Sequence, residues 1–497
     1  MLKKTTHYLT SLYHSINEVG LFLFFFSLAF FVRFPFFFRD YIDRDESTFI
    51  LMGQSWVDGY LPYTQLWDLK PPITFLFFAM IIYVFGKSFL AIRIAGVLLV
   101  ALTSFFTYKI GLKVANKKVA FWSGCLVIIL QSLFGSLQGV MSEHISIAFF
   151  TPALYLIISK ESKLYYLLAG LLLGLSLMSK LNLAYPILMV FLFLFWKAIK
   201  HEEKKFNFFK ILILGGALLT IILATALPYI FNHDLELWWH SVFKAPMAYS
   251  GSKEHSILDV LPFAIIVFGF LLWTIKKQLI PYKTVEMQLL LIVNAGILFS
   301  FMQAGKINGH YLIQLYPTLV LLTAIAFYKS NFLKTLNYKP FVLAIAFLIP
   351  METYLEFKNI IISKLEKGSF YNGEGIAVPN YFKEYNLSPD KILFMEYHIG
   401  YWLIDKKPLV KSATHPSSIL REELFPYFEN TRKTKTEEIR FILENIEPNY
   451  IITRKNRRVF DKKQIAINFY TNLLLLKNYQ VLDTVENAII HRRLELK

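Results

Sequence analysis

The chain has 497 residues, 55% of them hydrophobic and 17% aromatic, with a formal net charge of +17. So much apolar surface, gathered in long runs, exceeds what a single water-soluble core can bury and marks a polytopic membrane protein. Residues 1–339 carry 29 Lys/Arg against 16 Asp/Glu and residues 340–497 carry 23 against 19, so most of the excess sits in short loops between apolar runs. Charge placed there sets membrane orientation and excludes nucleic acid as the main partner.

In chain order, MLKKTT leads into LFLFFFSLAFFVRFPFFF (Leu21–Phe38), about long enough to cross a bilayer and without a small-residue cleavage site. It reads as a retained signal-anchor. Ten further spans are expected near 88–108, 119–137, 143–159, 163–178, 183–197, 207–230, 256–275, 285–303, 308–328 and 339–357. Cys125, the sole cysteine, falls in an apolar run, which leaves no disulfide framework and no thiol metal site. Pro71–Gly86 is apolar but short for a crossing. If it lies along the interface, the lysine-rich loops around Lys109, Lys160, Lys200, Lys276 and Lys329 share one face with Lys3 and Lys4. That face is cytoplasmic, and letting Pro71–Gly86 cross largely reverses the asymmetry. The same layout gathers Asp43, Asp45, Glu46, Asp68, Lys70, Glu143, His144, Lys180, His240, Lys306 and His310 at the outer face. From about residue 358 the composition changes to a soluble α/β pattern. Short strands are expected within Asp390–Trp402, Pro448–Asn456 and Tyr479–Arg493, and an amphipathic helix at Thr434–Ile446.

The first outer loop holds YIDRDEST, residues 41–48. After it, Phe49, Met52 and Trp56 share a helical stripe, predicting a short interfacial helix with Asp45 at its N-terminus. Asp45 could act there only as an N-cap and Glu46 as a first-turn acid. A capped carboxylate is also a positioned one, able to serve as general base toward an incoming hydroxyl. In WDLKPP, Pro71 and Pro72 favour a helix start and hold Lys70 extended at the interface. Lys70 then either anchors that helix or faces a lipid phosphate. Glu143 and His144 stand at the mouth of an apolar hairpin, where a carboxylate is costly unless solvated or partnered. Zinc held by Glu143, His144 and a distant histidine finds no supporting spacing. Lys180 divides two short apolar runs, as a snorkelling lysine or as a cation facing a recess. Lys306, His310 and Tyr311 open a later span in GKINGHYLIQLYP.

Taken in order, these residues resemble the GT-C glycosyltransferases of the protein-O-mannosyltransferase and aminoarabinose-transferase type. Asp45 and Glu46 match that family's acidic pair, Lys70-Pro71-Pro72 its Lys-Pro-Pro, Glu143 its second acid and Lys180 the lysine ending a short span. HYLIQLYP matches its later [His/Arg]-Tyr-Leu segment. Leu69 stands where some relatives carry an acid, and Glu143 where Asp is commoner; a divalent cation is left open. The resemblance implies a GT-C-like, polytopic α-helical fold of about 11 spans, with interfacial helices in the first outer loop. Residues 1–357 would form the catalytic membrane domain and residues 358–497 a small extracytoplasmic α/β domain. It also implies an inverting transferase in a bacterial inner membrane, taking sugar from a polyprenyl phosphate to a glycan, lipid or protein acceptor. Asp45 would be the base, with Glu46 or Glu143 orienting the acceptor. Lys70, Lys180, Lys306, His310 and Tyr311 would meet the donor phosphate. A transporter or flippase of lipid-linked sugars would instead need charges in mid-span. An O-antigen polymerase or ligase would centre on arginines in a large outer loop, and Phe231–His255 contains none. A non-enzymatic scaffold would need no acid pair.

Overall fold

The computed structural model describes residues 16–40, 43–200, 207–251, 256–305, 307–330 and 351–494. The MLKKTT opening, Lys306 and most of the span expected at 339–357 lie outside the described residues.

The helices start where the sequence supplies caps. Asn17, Ser88, Asn116, Asn207 and Ser256 each accept a first-turn N–H, which satisfies donors that have no partner inside the helix. The main helices are α1 (Glu18–Arg33), α2 (Arg44–Val57), α3 (Pro72–Phe85), α4 (Phe89–Val114), α5 (Lys117–Leu130), α6 (Ser142–Ser159) and α7 (Lys163–Leu177). They continue with α8 (Ala184–Lys200), α9 (Phe208–Phe231), α10 (Ile257–Lys276), α11 (Val285–Ala304), α12 (Tyr316–Lys329) and α13 (Met351–Lys367). Among the described residues, 7 helical segments are long and apolar enough to cross a membrane. Three shorter apolar helices, α3, α7 and α12, accompany them.

Two expected spans are shorter as helices than their apolar runs. The run at 119–137 stops being α-helical at Leu130, and a tight turn at Gly135–Gln138 leads into α6. The run at 308–328 opens as a 3-10 helix, Gly309–Gln314, before α12. The second of these stretches lines the site described below.

Between α1 and α4 the chain forms helices α2 and α3, packed face to face. A Cβ on Gly53 would meet Phe78 Cβ at 2.7 Å and the Ala79 nitrogen at 2.9 Å, so only glycine permits this approach. Glu46 through Gly53 are all buried. That is more than one interfacial stripe requires, because the C-terminal unit covers the side of α2 away from α3.

That unit is a four-stranded sheet ordered β1-β2-β4-β3, with β1 Ile392–Phe394, β2 Tyr450–Arg454, β3 Tyr479–Val485 and β4 Ala488–Arg493. β1 runs parallel to β2, and the other pairings are antiparallel. The expected Thr434–Ile446 helix forms, with the Thr434 hydroxyl accepting the Glu437 N–H at 3.2 Å. Helix α13 runs through residue 357 and is tied to the first span, since Thr353 donates to the Val32 carbonyl at 2.9 Å and Arg39 meets Glu356 at 3.1 Å.

The sheet unit is seated on α2 and its neighbours, not tethered loosely. Trp402 donates to Gln54 at 2.8 Å and lies edge-on to Phe89 at 5.1 Å, and Trp67 packs on Phe428 at 4.8 Å. Arg44 pairs with Glu396, and Lys87 with Asp405. One apolar core runs through Phe49, Trp67, Phe394, Trp402 and Phe428. Continuous burial of this kind resists hinge motion between layers.

Candidate active site

Asp43, with extended backbone, is the N-cap of α2 and accepts the Asp45 N–H at 2.8 Å. This sets aside the alternative that Asp45 itself caps the helix. With the cap filled one residue earlier, Asp45 falls in the first turn and its side chain is free to face a cavity. Lys70 Nζ donates to Asp45 Oδ2 at 3.2 Å, and His415 Nε2 lies 3.2 Å from Oδ1. Burial alone would raise the Asp45 pKa, but Lys70 and His415 outweigh it and hold the carboxyl well below the usual range. Burial, with Asp45 beside it, pushes Asp43 up to about 7.

Lys70 is fixed by its surroundings. Its carbonyl accepts from the Tyr63 hydroxyl at 2.6 Å, its N–H donates to Asp68, and its ammonium lies 5.2 Å from the Phe49 ring centroid. Pro71 caps α3 with Pro72 at its first position. The helix start is then pinned to the turn before Lys180 by the Ile73 N–H on the Met178 carbonyl and the Thr74 hydroxyl on the Ser179 carbonyl.

Lys180 adopts an extended conformation in the break between α7 and the turn Leu181–Leu183. It is not snorkelling. Its Nζ meets Glu143 Oε1 at 2.6 Å, both side chains are buried, and the ammonium lies 4.9 Å from the Tyr311 ring centroid. His310 Nε2 is 3.9 Å from the same Glu143 oxygen. Such a buried pair costs desolvation, which the short contact between opposite charges offsets.

Asp45, Lys70, Lys180, His310 and Tyr311 line one cavity of about 130 Å³, together with Asn182, Tyr249, Asn308 and Arg421. Among the described residues its lining carries one acid, Asp45, against the cations Lys70, Lys180 and Arg421. The arrangement can do two things chemically. A carboxylate is presented to an incoming hydroxyl, and fixed cations surround a space that suits an anion.

Three expected residues stand elsewhere. Glu46 turns away from the cavity: Oε2 pairs with Arg93 at 2.6 Å and Oε1 accepts the Val140 N–H at 2.7 Å, all within the protein interior. A charge so enclosed, with both oxygens engaged, is not available to orient an acceptor. Instead it holds the strand of chain leading to Glu143, and Arg33 holds the same stretch through the carbonyls of Leu137 and Gln138 at 3.0 and 2.7 Å. Glu143 is completely enclosed behind Lys180 and does not itself line the cavity. His144 accepts the Met141 N–H through Nδ1 as a cap, so it does not join Glu143 as a ligand. Among the described residues no group of three or more His, Cys, Asp or Glu side chains is set to hold a metal ion.

His415 and Arg421 were not foreseen. Both come from the C-terminal unit, which reads in sequence as a separate soluble tail. The only local signal is THPSS, a helix-start pattern at residues 414–418 that says nothing of a carboxylate more than 300 residues away.

Residues 69–229 match the family described as dolichyl-phosphate-mannose-protein mannosyltransferase. No curated protein matches the chain by sequence. Among solved structures, ArnT from Cupriavidus metallidurans bound to undecaprenyl phosphate superposes with a TM-score of 0.59 at 12% identity, over 94% of this chain and 97% of that one. The same enzyme in its apo state gives 0.59 at 11% identity, over 95% and 98%. The chain has the GT-C fold of integral-membrane glycosyltransferases, with an ArnT-like arrangement of helices and a small C-terminal sheet unit. The resemblance to GT-C transferases read from the sequence is met by both findings, and the family match spans Lys70, Glu143 and Lys180.

Proposed function

We propose that this protein transfers a sugar from a polyprenyl-phosphate donor to an acceptor hydroxyl by a single, inverting displacement at the outer face of the membrane. The observation that carries this reading is the cavity itself, where among the described lining residues one carboxylate, Asp45, shares the space with the cations Lys70, Lys180 and Arg421. The matched family and the undecaprenyl phosphate bound by the ArnT structure support a lipid-phosphate donor. Orientation is supported by charge. Helices α6, α7 and α8 turn at the site through Glu143 and Lys180, and their other ends carry Lys160, Lys163, Lys197 and Lys200, as cytoplasmic loops do.

In the reaction, the acceptor hydroxyl gives its proton to Asp45 as its oxygen bonds to the anomeric carbon. The bond from that carbon to the phosphate oxygen breaks, and the electron pair leaves with the polyprenyl phosphate. Lys70 and Lys180 meet the charge that builds there, with His310 and Tyr311 beside them. Lys70 has a second effect. While it pairs with Asp45 the carboxylate is a weak base, and a donor phosphate that draws the ammonium away restores its basicity. Glu143 keeps Lys180 ionised and aimed, a role different from orienting the acceptor.

Purified protein given polyprenyl-phosphate sugars and candidate acceptors should release free polyprenyl phosphate. Movement of the intact donor across vesicles with no release would favour a transporter and end the reading. Lys70→Met is expected to lower kcat/KM for the donor by about 10²–10³-fold, the usual effect of removing one electrostatic contact to a developing charge. Steady-state kinetics on the folded variant checks this, and a value near wild type would free Lys70 of the role.

A further inference from the structure

We propose that His415, delivered by the C-terminal unit, is a positioning residue of the transfer reaction that holds and orients the Asp45 carboxylate, making that unit part of the active site. The inference rests on the reading of Asp45 as the base.

The geometry fixes both the ring and its tautomer. His415 Nδ1 accepts the Ser417 N–H at 3.2 Å, capping the short turn Pro416–Leu420. An imidazole nitrogen that accepts cannot also carry the proton, so in the neutral ring the hydrogen resides on Nε2. Nε2 lies 3.2 Å from Asp45 Oδ1 and therefore donates to it. Lys70 takes the other oxygen at 3.2 Å. When donor phosphate recruits Lys70, His415 is, among the described residues, the remaining side chain bonded to the carboxylate and keeps it aimed.

The segment bearing His415 is held to α2 and to the turn at Trp67 by the residue before it. Thr414 accepts the Trp67 N–H through its hydroxyl at 3.3 Å and the Thr48 hydroxyl through its carbonyl at 3.4 Å. The His415 side chain is 7% exposed, too enclosed for a chance surface contact. Burial keeps the ring neutral against the pull of Asp45, consistent with a donor rather than a second cation. The charged and titratable groups facing this pair are Lys70, Asp43 and Asp68 from the first outer loop, and Arg421 and His398 from the C-terminal unit. Arg44 acts through His398, and His310 acts on Asp45 from the cavity lining that both share.

Two substitutions separate a role in the reaction from a role in folding. His415→Asn keeps an acceptor for the Ser417 N–H, and Asn is a favoured cap, but it falls short of Asp45. His415→Gln carries an amide nitrogen to where Nε2 stands and gives up the cap. The expected pattern crosses over. The Asn variant melts near wild type but turns over about 10²-fold more slowly, as a misaimed catalytic group does. The Gln variant melts lower but turns over about tenfold faster than the Asn variant. The sign of the pH effect follows from the lost donor. His415 stabilises ionised Asp45, so His415→Asn moves the acidic limb of the kcat profile to higher pH while the Gln variant leaves it near its wild-type position. Activities that follow melting temperature, with no shift of the acidic limb, would overturn the proposal. Asp45→Asn is assayed in parallel: its inactivity with an unaltered limb in His415→Asn removes His415 alone, whereas its full activity removes Asp45 as the base.

Discussion

Asp45→Asn should lower turnover by about 10²–10⁴-fold, the usual contribution of a positioned general base, and leave the protein folded. The substitution is nearly isosteric, so α2 keeps its Asp43 cap and its packing on α3. It removes the proton acceptor, because an amide does not take the acceptor hydroxyl's proton. It also disturbs a balanced pair of contacts. Lys70 and His415 both donate to Asp45, and an asparagine offers one oxygen and one NH₂, so one of the two donors faces another donor. The folding cost is about 1–3 kcal/mol, that of a single lost buried hydrogen bond. Thermal melting and steady-state release of polyprenyl phosphate, measured on one preparation, separate the terms. Wild-type turnover would remove Asp45 from the chemistry.

Glu46→Ala, one residue on, should behave in the opposite way. It leaves Arg93 buried without its carboxylate and the Val140 N–H without its acceptor. Breaking one partner of an enclosed pair costs about 3–5 kcal/mol, a large share of the stability of any folded protein. The loss is expected as a lower unfolding temperature and a loosened stretch before Glu143, detected as faster proteolysis between Leu133 and Val140. Replacing both partners with apolar residues, as in Glu46→Met with Arg93→Met, should recover much of the loss, since no uncompensated charge remains. If Glu46→Ala melts like wild type while turnover falls, Glu46 acts in the chemistry and not as a strut. Adjacent acids on one helix turn thus face different surroundings, Asp45 the cavity and Glu46 the protein interior.

The sequence made the layered plan legible where local chemistry was decisive. The apolar runs gave their helices, Pro71 and Pro72 started α3 and left Lys70 extended, and the run broken at Lys180 became a break facing the cavity. The division of labour between Asp45 and Glu46 was not legible. It depends on Arg93, which looks in sequence like one more basic residue near the outer face, and on which way the first turn of α2 is rotated. The cap is ambiguous in sequence for a related reason, since Asp43 and Asp45 are equally good cap residues and only the backbone decides between them. His415 and Arg421 were hidden because strand and helix periodicities describe how the tail folds and carry no information on where it docks. That docking is carried by Trp67, Trp402 and Phe428, whose rings fit equally well in an isolated core.

The shared pocket is the claim on which the chemistry depends. It is tested most directly by determining the structure of the Asp45→Asn variant with an intact polyprenyl-phosphate sugar bound. The phosphate should lie within hydrogen-bonding reach of Lys70 and Lys180, with the anomeric carbon turned toward residue 45. A phosphate seated away from both lysines would contradict it.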